Sequence, residues 1–140
     1  MKRTVRTALA SLLAFSGAAL SPGAYAAWVE YDRDANMTQY YESAIKRQGS
    51  IATVTVMSNA KMPVEVKEGQ SFQSVVITAE FDCVKQIGRD VSYTFKSGSM
   101  GAGNNVPVPE VADKKWDAAP LTAESDPARF AIWKIACGKK

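Results

Sequence analysis

The chain has 140 residues, with 17 Lys+Arg against 14 Asp+Glu and no histidine. Ser-His-Asp and Cys-His nucleophile systems need an imidazole base, so both are excluded. General acid–base work would fall to carboxylates, Lys or Tyr, and no spacing marks out a pair. The composition predicts no enzyme, no metal and no cofactor.

Residues 1–26 carry the marks of an export signal. Lys2, Arg3 and Arg6 form a basic start, and the apolar run from Ala8 to Leu20 is too short and too rich in small residues for a membrane span. Ser21, Pro22 and Gly23 break the run, and Ala24-Tyr25-Ala26 offers the small-x-small site that signal peptidase cuts. The expected organisation is a signal peptide over 1–26 and one domain over 27–140. Its destination is the periplasm, the cell surface or the medium, without a lipid anchor, because no Cys stands at the cut site. Three of the 17 basic residues leave with the signal, which leaves basic and acidic side chains equal in number. The mature chain then has no global field to draw nucleic acid or an anionic membrane. Its length suits one small core, near the size at which covalent staples become useful.

A short first strand is expected around Trp28 to Tyr31. Asp32-Arg33-Asp34-Ala35-Asn36 imitates the opening of a calcium loop, but Met37 stands where Gly is needed and Ser43 where a bidentate Glu is needed. A polar turn before a strand is the better account. Tyr41, Ser43 and Ile45 alternate with Glu42, Ala44 and Lys46, and Gln48-Gly49-Ser50 turns into the next strand, a hairpin signal. Ile51 to Met57 is an uncharged, β-branched run suited to the inside of a sheet. Val75, Ile77, Ala79 and Phe81 alternate with Val76, Thr78, Glu80 and Asp82. Val91, Tyr93 and Phe95 alternate with Ser92, Thr94 and Lys96. Strands joined by short connections favour an antiparallel meander with one face solvated.

The stretch from Gly98 to Thr122 is rich in Gly, Asn and Pro and predicts a long loop anchored by Trp116. Within it, Gly98-Ser99-Met100-Gly101-Ala102-Gly103 has the outline of a phosphate cradle, without a Gly-Lys-Ser/Thr ending or a following helix. A turned loop is expected there. Ser125-Asp126-Pro127 then offers an N-cap with Pro in the first turn, and Gly138 sits at a C′ position with Lys139 and Lys140 at the negative dipole end. Phe130, Trp133 and Cys137 share one helical face between these signals. A strand is the rival, since Phe130, Ile132 and Ala136 also alternate; the agreement of the two end signals favours the helix.

Cys83 and Cys137 are the only cysteines. In an oxidising compartment a disulfide between them is the default, and a metal site would need further soft ligands. The bond would pin the helix end to the strand that closes at Cys83.

Several features in order resemble the surface-adhesin protein E family of small exported bacterial proteins. They are YYESAIKRQGSIATVTV (Tyr40–Val56), Ser74, EFDC (Glu80–Cys83), MGAG (Met100–Gly103), Trp116, Pro120 and Cys137. The resemblance covers nearly all of the mature chain. It implies an α+β fold, an antiparallel β-sheet of about six strands with one C-terminal α-helix tied to it by a disulfide, in agreement with the residue patterns. It also implies homodimers and an adhesin that binds host extracellular-matrix proteins and plasminogen; the family's lipobox Cys is absent here. The alternative is a soluble periplasmic binding or inhibitory module with no host role. Candidate partner contacts are Lys85, Arg89 and Lys96 on exposed faces, against the plainer reading of solvated side chains. Lys140 is the fourth: an ammonium and a free carboxylate on an apolar stem suit the lysine-binding kringle sites of plasminogen. Its plainer role is to complement the helix dipole.

Overall fold

Alternating β-branched and aromatic residues fold here as one antiparallel sheet, and the single amphipathic segment near the C-terminus folds as a helix laid across it. The computed structural model describes residues 27–109 and 114–140; the expected signal over 1–26 lies outside the described residues. The strands are β1 (Trp28–Arg33), β2 (Met37–Glu42), β3 (Lys46–Gln48), β4 (Ile51–Lys67), β5 (Gln70–Asp82) and β6 (Ile87–Lys96), and α1 spans Pro127–Ala136. The six-stranded sheet runs β1-β2-β4-β5-β6, with β3 also paired to β4 beyond the end of β2. The expected α+β architecture is therefore present.

The period-two pattern sorts the two faces. Ala52, Val54 and Val56 of β4 stand opposite Phe81, Ala79 and Ile77 of β5, and all turn toward α1. There they meet Ile132, Trp133 and Ala136 of the helix and Leu121 of the preceding segment. Thr53 and Thr55 point to the back face, opposite Glu80 and Thr78. The far end of that face is covered. A 3-10 turn at Ser99–Gly101 closes over Met57, which is 0% exposed. The buried Ser74 hydroxyl donates to the Gly98 carbonyl at 2.6 Å and accepts the Gly101 N–H at 2.9 Å.

The helix ends where its sequence said it would. The Asp126 carboxylate accepts the Arg129 N–H at 3.0 Å, Pro127 opens the first turn, and Gly138 takes φ +64°. The Gly138 and Lys139 N–H groups donate back to the carbonyls of Ile135 and Lys134, at 3.2 and 2.8 Å, which is a Schellman closure. The Cys83–Cys137 disulfide is present and joins the turn after β5 to the residue that caps α1.

Two strand expectations need correction. Tyr41 to Lys46 is not one strand. From Tyr41 opposite Val56 to Lys46 opposite Thr53, this side uses more residues than β4 does, and the excess is folded into Ser43–Ile45. The Ile45 N–H bonds the Ser43 carbonyl at 3.0 Å, and the kink lets the Ile45 side chain pack on the core. Second, β4 continues past Met57 to Lys67, and β5 begins at Gln70 rather than Val75. Pro63 masked this arm in the sequence; it falls in the irregular stretch between Asn59 and Val64, where a missing N–H costs no ladder bond.

Breaking the Cys83–Cys137 bond, with a sequence separation of 54, lowers unfolding stability by about 4 kcal/mol on the chain-entropy account. Denaturant titration of the double Cys→Ala variant checks this, and an unchanged midpoint would contradict it. Phe81 sits directly opposite Gly88, and a Cβ at Gly88 would lie 2.7 Å from its buried ring. Gly88→Ala should therefore cost about 1–3 kcal/mol, read as a lower midpoint with the disulfide intact.

Candidate binding cleft on the open sheet face

Cross-strand register builds a row of side chains that no local pattern announces. Lys46 lies opposite Thr53, Thr53 opposite Glu80, and Glu80 opposite Arg89, so four strands contribute one residue each to the back face. At about 4.8 Å between strands the row is about 14 Å long. It floors a cleft of about 580 Å³, with Arg47, Gln48 and Ile51 at one side and Trp116 at one end.

Arg89 closes on Glu80 through a fork. Its Nε and Nη2 both donate to Glu80 Oε2, at 2.8 and 2.6 Å, which leaves Arg89 Nη1 and Glu80 Oε1 outside the pair. The guanidinium carbon lies 4.7 Å from the centre of the Trp116 ring, a cation–π distance. Trp116 is held there by its neighbour. The Asp117 N–H donates to the Gly88 carbonyl at 2.9 Å, and Asp117 Oδ2 accepts the Gly88 N–H at 2.8 Å, so the segment is zipped to the edge of β6. Further along, the Leu121 N–H donates to the Gln86 carbonyl at 2.7 Å, and the Gln86 side chain donates to the Leu121 carbonyl.

The helix side of the same edge is also charged. Arg129 donates to Asp90 at 2.9 Å and to Asp117 at 3.3 Å, and the Tyr93 hydroxyl donates to Asp90. Burial works against the Arg129 charge, and Asp90 and Asp117 outweigh it, raising its pKa. A smaller cleft of about 250 Å³ lies beside it, lined by Tyr31, Asp90 and Asp126 among others. Burial, reinforced by Asp32, Asp126 and Asp90, pushes the Tyr31 phenol well above its ordinary range. Tyr31 is thus a hydrogen-bond donor at neutral pH and not a base.

Of the four candidate contacts, only Arg89 lines the back-face cleft. It is not a plainly solvated cation, because Glu80 and Trp116 engage it. Lys85 sits in the turn after β5, where its N–H bonds Asp82. Lys96 lies opposite Ser74 at the far end of β6, roughly 23 Å along the strand from Arg89. Lys140 is exposed beyond α1. Lys46, Thr53 and Glu80 were not singled out by the sequence, since each reads as an ordinary outward strand position.

Two imitation motifs resolve as turns. Asp34 Oδ1 accepts the N–H groups of Asn36 and Met37 at 2.7 and 2.8 Å, and these bonds hold its carboxyl below the usual carboxylate range. In the glycine-rich stretch, the N–H groups of Gly98, Met100, Gly101 and Ala102 bond to Ala102, Asn59, Ser74 and Ser99. Four of the six backbone donors of Gly98–Gly103 are thus spent internally rather than turned outward together as a phosphate would need.

The residue pattern of the family described as surface-adhesin protein E matches residues 28–138. Haemophilus influenzae protein E has a similar fold: one structure superposes with TM-score 0.62 at 18% identity, covering 79% of this chain and 83% of that one. Its crystal form II gives TM-score 0.59 at 17% identity, covering 77% and 91%. Protein E from a non-typeable strain gives TM-score 0.57 at 18% identity, covering 85% and 82%. No curated protein sequence matches this chain.

Asp82, in the EFDC segment, is buried and accepts the N–H groups of Lys85 and Val84 at 3.0 and 2.9 Å. The Lys85 N–H is foremost in holding its carboxyl low; burial opposes this and the Val84 N–H assists. A carboxyl depressed in the folded state stabilises fully above its unfolded pKa of about 3.9 and loses that contribution as pH falls through the folded value. Asp82→Asn should therefore flatten part of the fall in Tm between neutral pH and about pH 3, where Asp side chains protonate. Parallel melting curves for variant and parent would refute this.

Proposed function

The chain belongs to the surface-adhesin protein E family, and from that premise we propose that it is an exported, non-catalytic binding protein. Its partner on this reading is a host protein, of the extracellular-matrix or plasminogen kind that the family resemblance implies. One observation carries the reading: α1 covers a single face of the sheet and leaves the other open along the Lys46–Thr53–Glu80–Arg89 row. Trp and Arg are the residue types that anchor protein interfaces, and Trp116 and Arg89 meet at the end of this row. The signal proposed over 1–26 would deliver the domain outside the cytoplasm. Among the described residues, no helix is long and apolar enough to cross a membrane. The β4–β5 arm exposes Met62 at 76% and Val64 at 39%, which suits the homodimer that the resemblance also implies.

Surface plasmon resonance of the 27–140 protein over immobilised plasminogen and a panel of matrix proteins tests the reading. Binding is expected, and Trp116→Ala should weaken it by about 30-fold, the threshold of an interface anchor. A version ending at Gly138 separates the Lys140 tail from the sheet face. Failure to bind any of these proteins, together with strictly periplasmic localisation on cell fractionation, would overturn the proposal in favour of a periplasmic module.

A further inference from the structure

A net charge of zero hides how the charges are sorted. Residues 27–140 carry equal numbers of basic and acidic side chains, yet the two kinds gather at opposite ends of α1. At its start, Asp90 and Asp117 hold Arg129, Asp126 caps the helix, and Asp32 stands beside Tyr31. At its end the sign reverses. The Cys83–Cys137 bond brings Lys85, two residues beyond Cys83, to the same end as Lys134, Lys139 and Lys140, each within three residues of Cys137. The Lys139 N–H donates to the Lys134 carbonyl at 2.8 Å, which folds the tail back over the last turn. Among the described residues, no carboxylate side chain pairs with any of these four lysines. Asp82, in the same turn as Lys85, instead accepts the N–H groups of Val84 and Lys85.

The distance between the ends decides whether they cancel. The ten residues of α1 separate them by about 15 Å. At physiological ionic strength the Debye length is about 8 Å, so a partner touching the basic end is screened from the acidic one. The middle of the basic patch is apolar. Val84, at the tip of the turn between Cys83 and Lys85, is 82% exposed, more than any other large hydrophobic side chain among the described residues.

Lysines around a protruding apolar side chain suit the boundary between lipid headgroups and acyl chains. The ammonium groups reach anionic headgroups on flexible stems, and the apolar side chain enters the layer beneath. A soluble polyanion is a poorer match. Guanidinium forks are the side chains that fit its phosphate or carboxylate groups in a fixed geometry, and the guanidinium at this end, Arg47, already donates to the Ala136 carbonyl. A soluble polyanion would also leave Val84 in water.

We propose that Val84, with Lys85, Lys134, Lys139 and Lys140, docks this end of the molecule on the surface of an anionic lipid bilayer. The attachment is peripheral and reversible. It goes beyond the host-protein reading and uses no residue that lines the back-face cleft, so the two surfaces can be tested apart.

Co-sedimentation of the disulfide-bonded 27–140 protein with vesicles is the test. Vesicles of phosphatidylcholine alone are compared with vesicles in which part of it is replaced by phosphatidylglycerol. Binding is expected to the anionic vesicles and not to the neutral ones. It should fall by about tenfold or more between about 0.1 and about 1 M salt, as the Debye length shrinks from about 10 to about 3 Å. Lys85→Gln and Lys139→Gln should each weaken binding about fivefold, and together about 25-fold. Val84→Ser should weaken it about fivefold. Lys96→Gln, at the far end of β6, and Trp116→Ala, in the cleft, should leave it unchanged. Thermal melting confirms that each variant is folded, and the lysine changes are on the surface, so they keep the test open if Val84→Ser is not. Equal binding to both kinds of vesicle, or anionic binding indifferent to the paired lysine change, would overturn the proposal. Retention on heparin through the same lysines without binding to vesicles would also overturn it, in favour of a soluble polyanion. Plasminogen or matrix binding that depends on Trp116 reports on the sheet face alone, so the failure of either reading is seen separately.

Discussion

The open face exists because α1 is fastened to the other one, and most of the fastening gathers around Cys137. The Cys83–Cys137 bond ties the residue capping the helix to the turn after β5. Trp133 Nε1 donates to the Asp82 carbonyl at 3.3 Å from the last turns of the helix, and Arg47 Nε donates to the Ala136 carbonyl at 2.8 Å from β3. The last bond places a cation at the negative end of the helix dipole and satisfies a carbonyl the helix cannot. A ten-residue helix is too short to be stable alone, so its position depends on these contacts and on the apolar stripe beneath it. With one helix among the described residues and one face filled by it, the back face is covered at its far end by the Ser99–Gly101 turn.

The edge of β6 links the two faces. Asp117 accepts from Arg129 on the helix side and from the Gly88 N–H at the strand edge, while Trp116, one residue earlier, reaches the back face. Gly88 admits this arrangement because Phe81 occupies the space a side chain would need. The charge network that anchors the start of α1 therefore also sets the position of the indole in the cleft. A change made for packing at Phe81 or Gly88 would reach the back face without touching any residue on it.

What the sequence disclosed follows the range of the interactions involved. The ends of α1 were legible because Asp126, Pro127 and Gly138 act within a turn of themselves. The disulfide was legible from two cysteines in a chain whose first residues read as an export signal, which needs counting and not geometry. Strand identity came through wherever alternation was unbroken, and failed at Ser43–Ile45 and at Pro63, where irregular backbone interrupts the period of two. The Lys46–Thr53–Glu80–Arg89 row depends on register across four strands. Register is a property of pairs of strands, and no single strand encodes it. Arg89 was noticed only as a cation; its partner Glu80 lies nine residues earlier and shares its row only once β5 and β6 pair.

The family and the fold constrain function at different depths. An identity of 17–18% to Haemophilus influenzae protein E supports a shared fold and no residue-level correspondence, so the recognition surface has to be argued from this chain's own side chains. Around the cleft those side chains favour contact over long-range attraction. Residues 27–140 have equal numbers of basic and acidic side chains, and Lys85, Lys96 and Lys140 lie apart from the cleft. Without a net charge to steer a partner to the cleft, encounter there is set by diffusion and orientation, and affinity by how long the partner stays. The Arg89–Glu80 fork beside an indole fits that regime, since it rewards a partner that matches its donors and acceptors at contact distance.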